Sequence, residues 1–143
     1  MALNLAVGTF IISLTVVIHV YGLVGITWFV SRVTERFRSG GHRSQTLAMV
    51  TVAAGLFMVT TAEVWLWAAC FRVLGVFGDF DTALYFSTVS YSTLGYGDVV
   101  PPAQWRLLCA LEGINGFLLI GWSTAYLIAA GTRIGPFRTG EHF

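Results

Sequence analysis

Ser92-Thr93-Leu94-Gly95-Tyr96-Gly97-Asp98 sits between a short amphiphilic stretch and a long apolar one. Two glycines flanking a tyrosine, after a threonine, make a segment whose backbone can take dihedrals that other residues avoid. Such a segment can point successive carbonyl oxygens toward one axis. A row of carbonyls around an axis can stand in for the water shell of a dehydrated cation. A bare Gly-x-Gly would read as a turn between two apolar segments; six positions in order, with these flanks, argue against that.

The composition places the chain in a membrane. Hydrophobic residues make up 56% and charged residues only 10%, with a mean hydropathy of +0.76. A soluble domain carries about a quarter charged residues. All 8 basic side chains are arginine, and the net charge of +1 is uninformative. Cys70 and Cys109 lie inside apolar stretches and read as small buried hydrophobes rather than a disulfide pair.

Three stretches reach the roughly 20 apolar residues that span a bilayer. They are residues 3–30, residues 47–74 with Glu63 inside, and residues 107–130 with Glu112 and Asn115 near the start. The first lacks a basic leader and is too long for a signal peptide, so it is expected to be a membrane helix. Residues 79–92 are too short to span. Asp79 and Asp81 are both good N-caps, which predicts a short helix running directly into the Gly-Tyr-Gly run. The chain thus divides into an N-terminal helix (1–30), a linker (31–46), a central unit (47–131) and a tail (132–143).

Thr93-Leu94-Gly95-Tyr96-Gly97-Asp98 resembles the Thr-x-Gly-Tyr-Gly-Asp filter of the potassium-channel pore family, notably its small bacterial members. Pro101 and Trp105 also stand where many of those channels have Pro and Trp, and the resemblance covers residues 47–131. It implies an all-α integral membrane fold with three transmembrane helices, a re-entrant pore helix and a selectivity filter, assembled from four chains. Residues 47–74 would be the outer helix, 81–92 the pore helix and 105–130 the pore-lining inner helix. By the same resemblance, Thr93, Leu94, Gly95 and Tyr96 would bind potassium, Thr93 with its hydroxyl as well as its carbonyl, and Gly97 would end the row. Asp98 and Tyr85 match the bracing shell, with Tyr85 placed to bond Asp98. Leu94 departs from the commoner Val or Ile, and Val89 stands where some members carry a bracing glutamate. Aligned on the filter, Leu118, Gly121, Ala125 and Ala129 face the central cavity or a neighbouring inner helix. The last three form a small-residue stripe that suits close helix packing equally well.

Glu63 and Glu112 lie within membrane helices, where an unpaired charge is expensive and faces protein or a polar cavity. Both are expected to brace the pore helix, with partners among Ser87, Thr88, Ser90 and Ser92; the rival role is titration that couples pH to the filter. His19 reads as a hydrogen-bonded packing residue and His42 as a solvated one. The first helix has no arginine at every third position, so it is no voltage sensor. Gly22 and Gly25 would let it lie against the second helix from the lipid side.

These readings converge on a potassium-selective channel that conducts passively, a homotetramer in the lipid bilayer. No cofactor is expected beyond potassium ions in the filter, no nucleic-acid partner and no regulatory ligand. No nucleophile–base pair or metal cluster points to an enzyme, and no nucleotide-binding or calcium motif follows residue 130. Two alternatives stand beside this reading: a weakly selective cation channel, if Leu94 loosens the filter, and a non-conducting, channel-like interaction subunit. For orientation, Arg32, Arg36, Arg38 and Arg43 lie in the linker and Arg133 and Arg138 in the tail, against Arg72 and Arg106 on the other side. The positive-inside rule then puts the linker and C-terminus in the cytoplasm, with the N-terminus and filter mouth outside a plasma or bacterial inner membrane. Cysteines introduced at Ser39 and Thr139, in a background lacking Cys70 and Cys109, should therefore resist an impermeant thiol reagent added to intact cells. External labelling of both would reverse the topology.

Overall fold

The computed structural model describes residues 1–36 and 42–134. It contains α1 (Ala2–Arg36), α2 (His42–Val73), α3 (Phe80–Tyr91), a single 3-10 turn (Ala103–Trp105) and α4 (Arg106–Ile134). Among the described residues, α1, α2 and α4 are long and apolar enough to cross a membrane. The chain is an all-helical integral membrane protein. With 12 residues, α3 rises only about 18 Å, too short to cross.

The membrane helices outrun their apolar stretches. α1 continues past residue 30 and α2 begins at His42, so much of the span read as linker is helical. Polar side chains there serve the helix itself: Ser31 Oγ donates to the Trp28 carbonyl at 2.8 Å and Thr34 Oγ1 to that of Val30 at 3.0 Å. The Arg32 guanidinium sits 4.0 Å above the Trp28 ring, a cation–π contact suited to a helix end at a membrane surface. Residues 37–41 and 135–143, with Arg38, Ser39, Arg138 and Thr139 of the orientation argument, lie outside the described residues.

Glycines set how closely α1 approaches its neighbours. A side chain at Gly22 would meet Val59 of α2, one at Gly55 would meet Ile26 of α1, and one at Gly8 would meet Leu111 of α4. Small residues at such crossings let helices gain dispersion contact in lipid, where no hydrophobic drive separates protein from solvent. Gly25, expected to act like Gly22, has nothing within 4 Å of a Cβ. The expectation that α1 rests on α2 from the lipid side needs a second correction, because α1 also packs on α4. Thr27 Oγ1 and the Tyr126 hydroxyl are 2.8 Å apart, and Asn115 Nδ2 donates to Thr15 Oγ1 at 2.9 Å. At the start of α1, Asn4 Nδ2 donates to the Gln104 carbonyl at 2.6 Å.

α2 ends on a turn in which Gly75 adopts φ 67°. Its N–H bonds the Arg72 carbonyl at 3.2 Å, and the Val76 N–H reaches that of Phe71 at 2.9 Å. This Schellman motif satisfies carbonyls that the helix end would orphan. Of the two candidate caps for α3, Asp79 is the one used. It accepts the Thr82 N–H at 2.7 Å and the Thr82 hydroxyl at 2.8 Å, while Asp81 lies in the first turn. The Thr82 N–H holds the Asp79 carboxyl below the usual carboxylate range. Phe71, Phe77 and Phe86 then pack ring on ring, with centroids 4.8 Å apart for Phe77–Phe86 and 5.7 Å for Phe71–Phe86. That cluster seats α3 and the turn before it against the end of α2.

Candidate functional site

α3 ends on the same motif as α2, but with a threonine where α2 has glycine. The Thr93 N–H bonds the Ser90 carbonyl at 3.0 Å, and the Leu94 N–H bonds that of Val89 at 3.0 Å. Thr93 takes the left-handed position with φ 62°, as Gly75 does with φ 67°. A β-branched residue with positive φ is a true outlier and costs roughly 1–2 kcal/mol. Positive φ recurs at Gly95 (58°) and Gly97 (77°), at every second position.

The hydrogen bonds orient the peptide planes. The N–H groups of Thr93, Leu94 and Gly95 all point back at α3, the last reaching the Val89 carbonyl at 3.3 Å. In a trans peptide the preceding carbonyl points the opposite way. The carbonyls of Ser92, Thr93 and Leu94 therefore project together, away from α3. The segment is uncovered in the single chain, with Leu94 59% and Tyr96 68% exposed. Leu94, which departs from the commoner Val or Ile, is thus largely uncovered in the single chain.

Three polar contacts hold the segment and its helix from behind. The Tyr85 hydroxyl donates to Asp98 Oδ2 at 2.6 Å, a bond that holds the Asp98 carboxyl below its ordinary range. Tyr85, Asp98 and Arg106 line a cleft of about 350 Å³ that runs behind Gly95 and Gly97. Glu112, fully buried, accepts from Ser87 Oγ at 2.5 Å. That hydroxyl is also 2.9 Å from the Val64 carbonyl. One hydroxyl proton serves one acceptor at a time, so Ser87 donates either to Glu112 or to the Val64 carbonyl. Glu63, also fully buried, accepts from the Tyr91 hydroxyl at 2.6 Å.

The expected hydroxyl partners are therefore realised only in part. Ser87 meets Glu112, but Thr88 and Ser92 return to carbonyls of α3 itself, at 2.8 Å and 2.6 Å. Ser90 Oγ reaches the Cys109 carbonyl at 3.4 Å. Glu63 takes Tyr91 and His19 instead, with His19 Nδ1 3.0 Å from its Oε1. Sequence reading passed over Tyr91, whose aromatic ring resembles any core residue, and Gly116, one of several glycines on α4. A Cβ at Gly116 would collide with the main chain of Tyr91, so the end of α3 presses directly on α4. Leu118, Gly121, Ala125 and Ala129 all lie on an exposed face of α4. Among the described residues no group of three or more His, Cys, Asp or Glu could hold a metal ion.

A family model described as "Ion channel" matches residues 46–133, more than half of the chain. The match takes in nearly all of α2, then α3 and α4, and leaves α1 outside. No curated protein and no solved structure matches.

The two Schellman turns provide a matched test of backbone strain. Thr93→Gly should raise thermal stability in detergent by about 1 kcal/mol, and Gly75→Thr should lower it by about 1–2 kcal/mol, because only the left-handed position changes its residue. Gly75 has open space around a Cβ, which leaves the dihedral as the source of the loss. Melting curves of both variants check the pair.

Proposed function

Because the chain belongs to the ion-channel family, we propose that it is a potassium-selective channel whose filter is the Thr93–Gly97 backbone. The observation that carries this reading is the common direction of the Thr93 and Leu94 carbonyls, away from α3, on a segment left uncovered in one chain. Irregular backbone at membrane depth is tolerated only where protein buries it or where it lines a watery path. One chain supplies one wall, so several copies converge on a shared axis, four in this reading, with 47–131 as the pore unit. Carbonyls of Thr93, Leu94, Gly95 and Tyr96, with the Thr93 hydroxyl at the inner end, replace the hydration shell of potassium, and Gly97 ends the row. No cofactor beyond those ions enters the mechanism. Movement is passive, down the electrochemical gradient.

The remaining residues take supporting roles. Tyr85 holds Asp98 at the outer mouth. Leu118, Gly121, Ala125 and Ala129, exposed in the single chain, line the cavity below the filter or meet a neighbouring α4. The partial negative charge at the end of α3 faces that cavity and favours a cation there. The linker and C-terminus are cytoplasmic in this arrangement, with the filter mouth outside.

Flux from liposomes that contain only this chain tests the reading. Potassium should pass and sodium should not, and Gly95→Ala or Gly97→Ala should abolish selectivity or conduction, because a Cβ opposes the positive φ at both positions. Comparable sodium flux in the unaltered chain would show a weakly selective pore. Absence of any flux would favour a non-conducting subunit, and unchanged flux in both variants would place the pore elsewhere.

Glu112 braces α3 through Ser87 and contributes to the stability of the filter rather than to ion coordination. Glu112→Gln keeps both an acceptor and a donor beside Ser87. Glu112→Val removes both and should cost about 1–3 kcal/mol. The valine variant should lose tetramer melting temperature or steady-state current, while the glutamine variant keeps potassium-over-sodium selectivity. Two variants indistinguishable from the unaltered chain would remove the brace; loss of a pH response in glutamine alone would make Glu112 a sensor.

A further inference from the structure

α1 lies outside the matched span, yet it supplies one end of a buried polar chain that reaches the proposed filter. His19 Nδ1 is 3.0 Å from Glu63 Oε1, and Glu63 Oε2 accepts from the Tyr91 hydroxyl at 2.6 Å. None of the three side chains is more than 1% exposed. Trp122 of α4 lies across the His19 ring, centroids 5.3 Å apart, so the ring is wedged between helices. Tyr91 is the last residue of α3 and stands two positions before Thr93. Its side chain is held by α2 and, through Glu63, by α1, while its main chain presses on Gly116 of α4.

From this we infer that α1 is a working part of the conducting unit. His19 is a positioning residue that sets, through Glu63 and Tyr91, where the inner end of the filter sits. The inference rests on the conducting reading above. Its logic is a partner count. Among the described residues Glu63 Oε1 has His19 as its only hydrogen-bond partner, and a buried carboxylate oxygen deprived of its donor must turn to find another. Turning the carboxylate moves the acceptor of the Tyr91 hydroxyl. Tyr91 in turn belongs to the helix end whose Val89 and Ser90 carbonyls fix Thr93, Leu94 and Gly95. A shift at His19 thus reaches the filter through three side chains and one Schellman turn. The structure contains its own control. Thr15 and Asn115 also join α1 to α4 by a buried hydrogen bond of 2.9 Å, and among the described residues neither side chain hydrogen-bonds to α3.

The test is the ratio of steady-state to peak potassium current from the full chain in planar bilayers. His19→Leu should lower the ratio about tenfold, equivalent to ~1.4 kcal/mol. His19→Asn, whose amide can donate near the place of Nδ1, should restore most of it. Because both changes act on one chain of contacts, Glu63→Gln added to His19→Leu should lower the ratio no further. Thr15→Val should lower the melting temperature and leave the ratio alone. The inference is overturned if His19→Leu stays within about twofold of the unaltered chain, or if Thr15→Val lowers the ratio as much. Should His19→Leu fail to assemble, Tyr91→Phe, which removes one hydroxyl from the same chain, is expected to show the same drop; a normal ratio there overturns the inference. A conducting unaltered chain with unaffected variants defeats only this inference, whereas an unaltered chain that passes no potassium defeats the conducting reading and this one with it.

Discussion

Peptide groups at membrane depth need partners, and the residues after α3 find them within the chain on one side only. The N–H groups of Thr93, Leu94 and Gly95 take the Ser90 and Val89 carbonyls. The carbonyl oxygens of Ser92, Thr93 and Leu94, on the other side of the same peptides, are left to face the other way, in a segment that is largely uncovered. In hydrocarbon each unsatisfied group would cost several kcal/mol, on the order of what a whole domain has to spare. The chain is therefore incomplete as a membrane structure until something polar meets those oxygens. The contacts around α3 hold the helix from which that segment emerges.

α3 carries that task without crossing the membrane. Its start is held by the Asp79 cap and the Phe71–Phe77–Phe86 cluster. Its middle is held by Ser87 against Glu112, and its end by Tyr91 against Glu63 and Gly116. Apolar packing alone resists sliding and rotation weakly, because dispersion is non-directional and one leucine surface resembles the next. A hydrogen bond between two buried groups has one geometry, and losing it in the membrane is penalised. Two carboxylates in membrane helices are thus understandable as locating pins. The left-handed Thr93 is the strained position, and the bonds its turn makes to α3 offset that strain.

How much could be read beforehand differed from residue to residue. The Gly95-Tyr96-Gly97 run declared its own backbone, since glycine in a polar-apolar junction advertises positive φ. Thr93 did not, because a β-branched residue gives no local hint of that conformation; the Schellman turn imposes it. Asp79 and Asp81 were equal as caps on sequence, and the geometry of Thr82 decided between them. Glu63 and Glu112 were recognisable as needing partners from their depth alone. Which partner each takes was not, because periodicity locates a side chain on its own helix and says nothing of the azimuth of the next one. Periodicity therefore names neither Tyr91 nor His19 as a partner of Glu63, and it does not show that α1 packs on α4 as well as on α2.

From sequence alone came the number of the membrane helices, the short capped helix between them and the glycine-rich segment that follows it. Those are local properties: a run of apolar residues, a cap and a pair of glycines act through neighbours along the chain. Tertiary structure alone decided which glycines are points of contact, Gly116 against Tyr91 and not Gly25 against anything. It also decided that the buried carboxylates reach different stations on α3, Glu112 at Ser87 and Glu63 at Tyr91. The reason is physical. Helix crossing and rotation are set by many weak contacts summed over whole surfaces, so no single residue announces them, whereas a backbone dihedral or a helix cap is set within one turn.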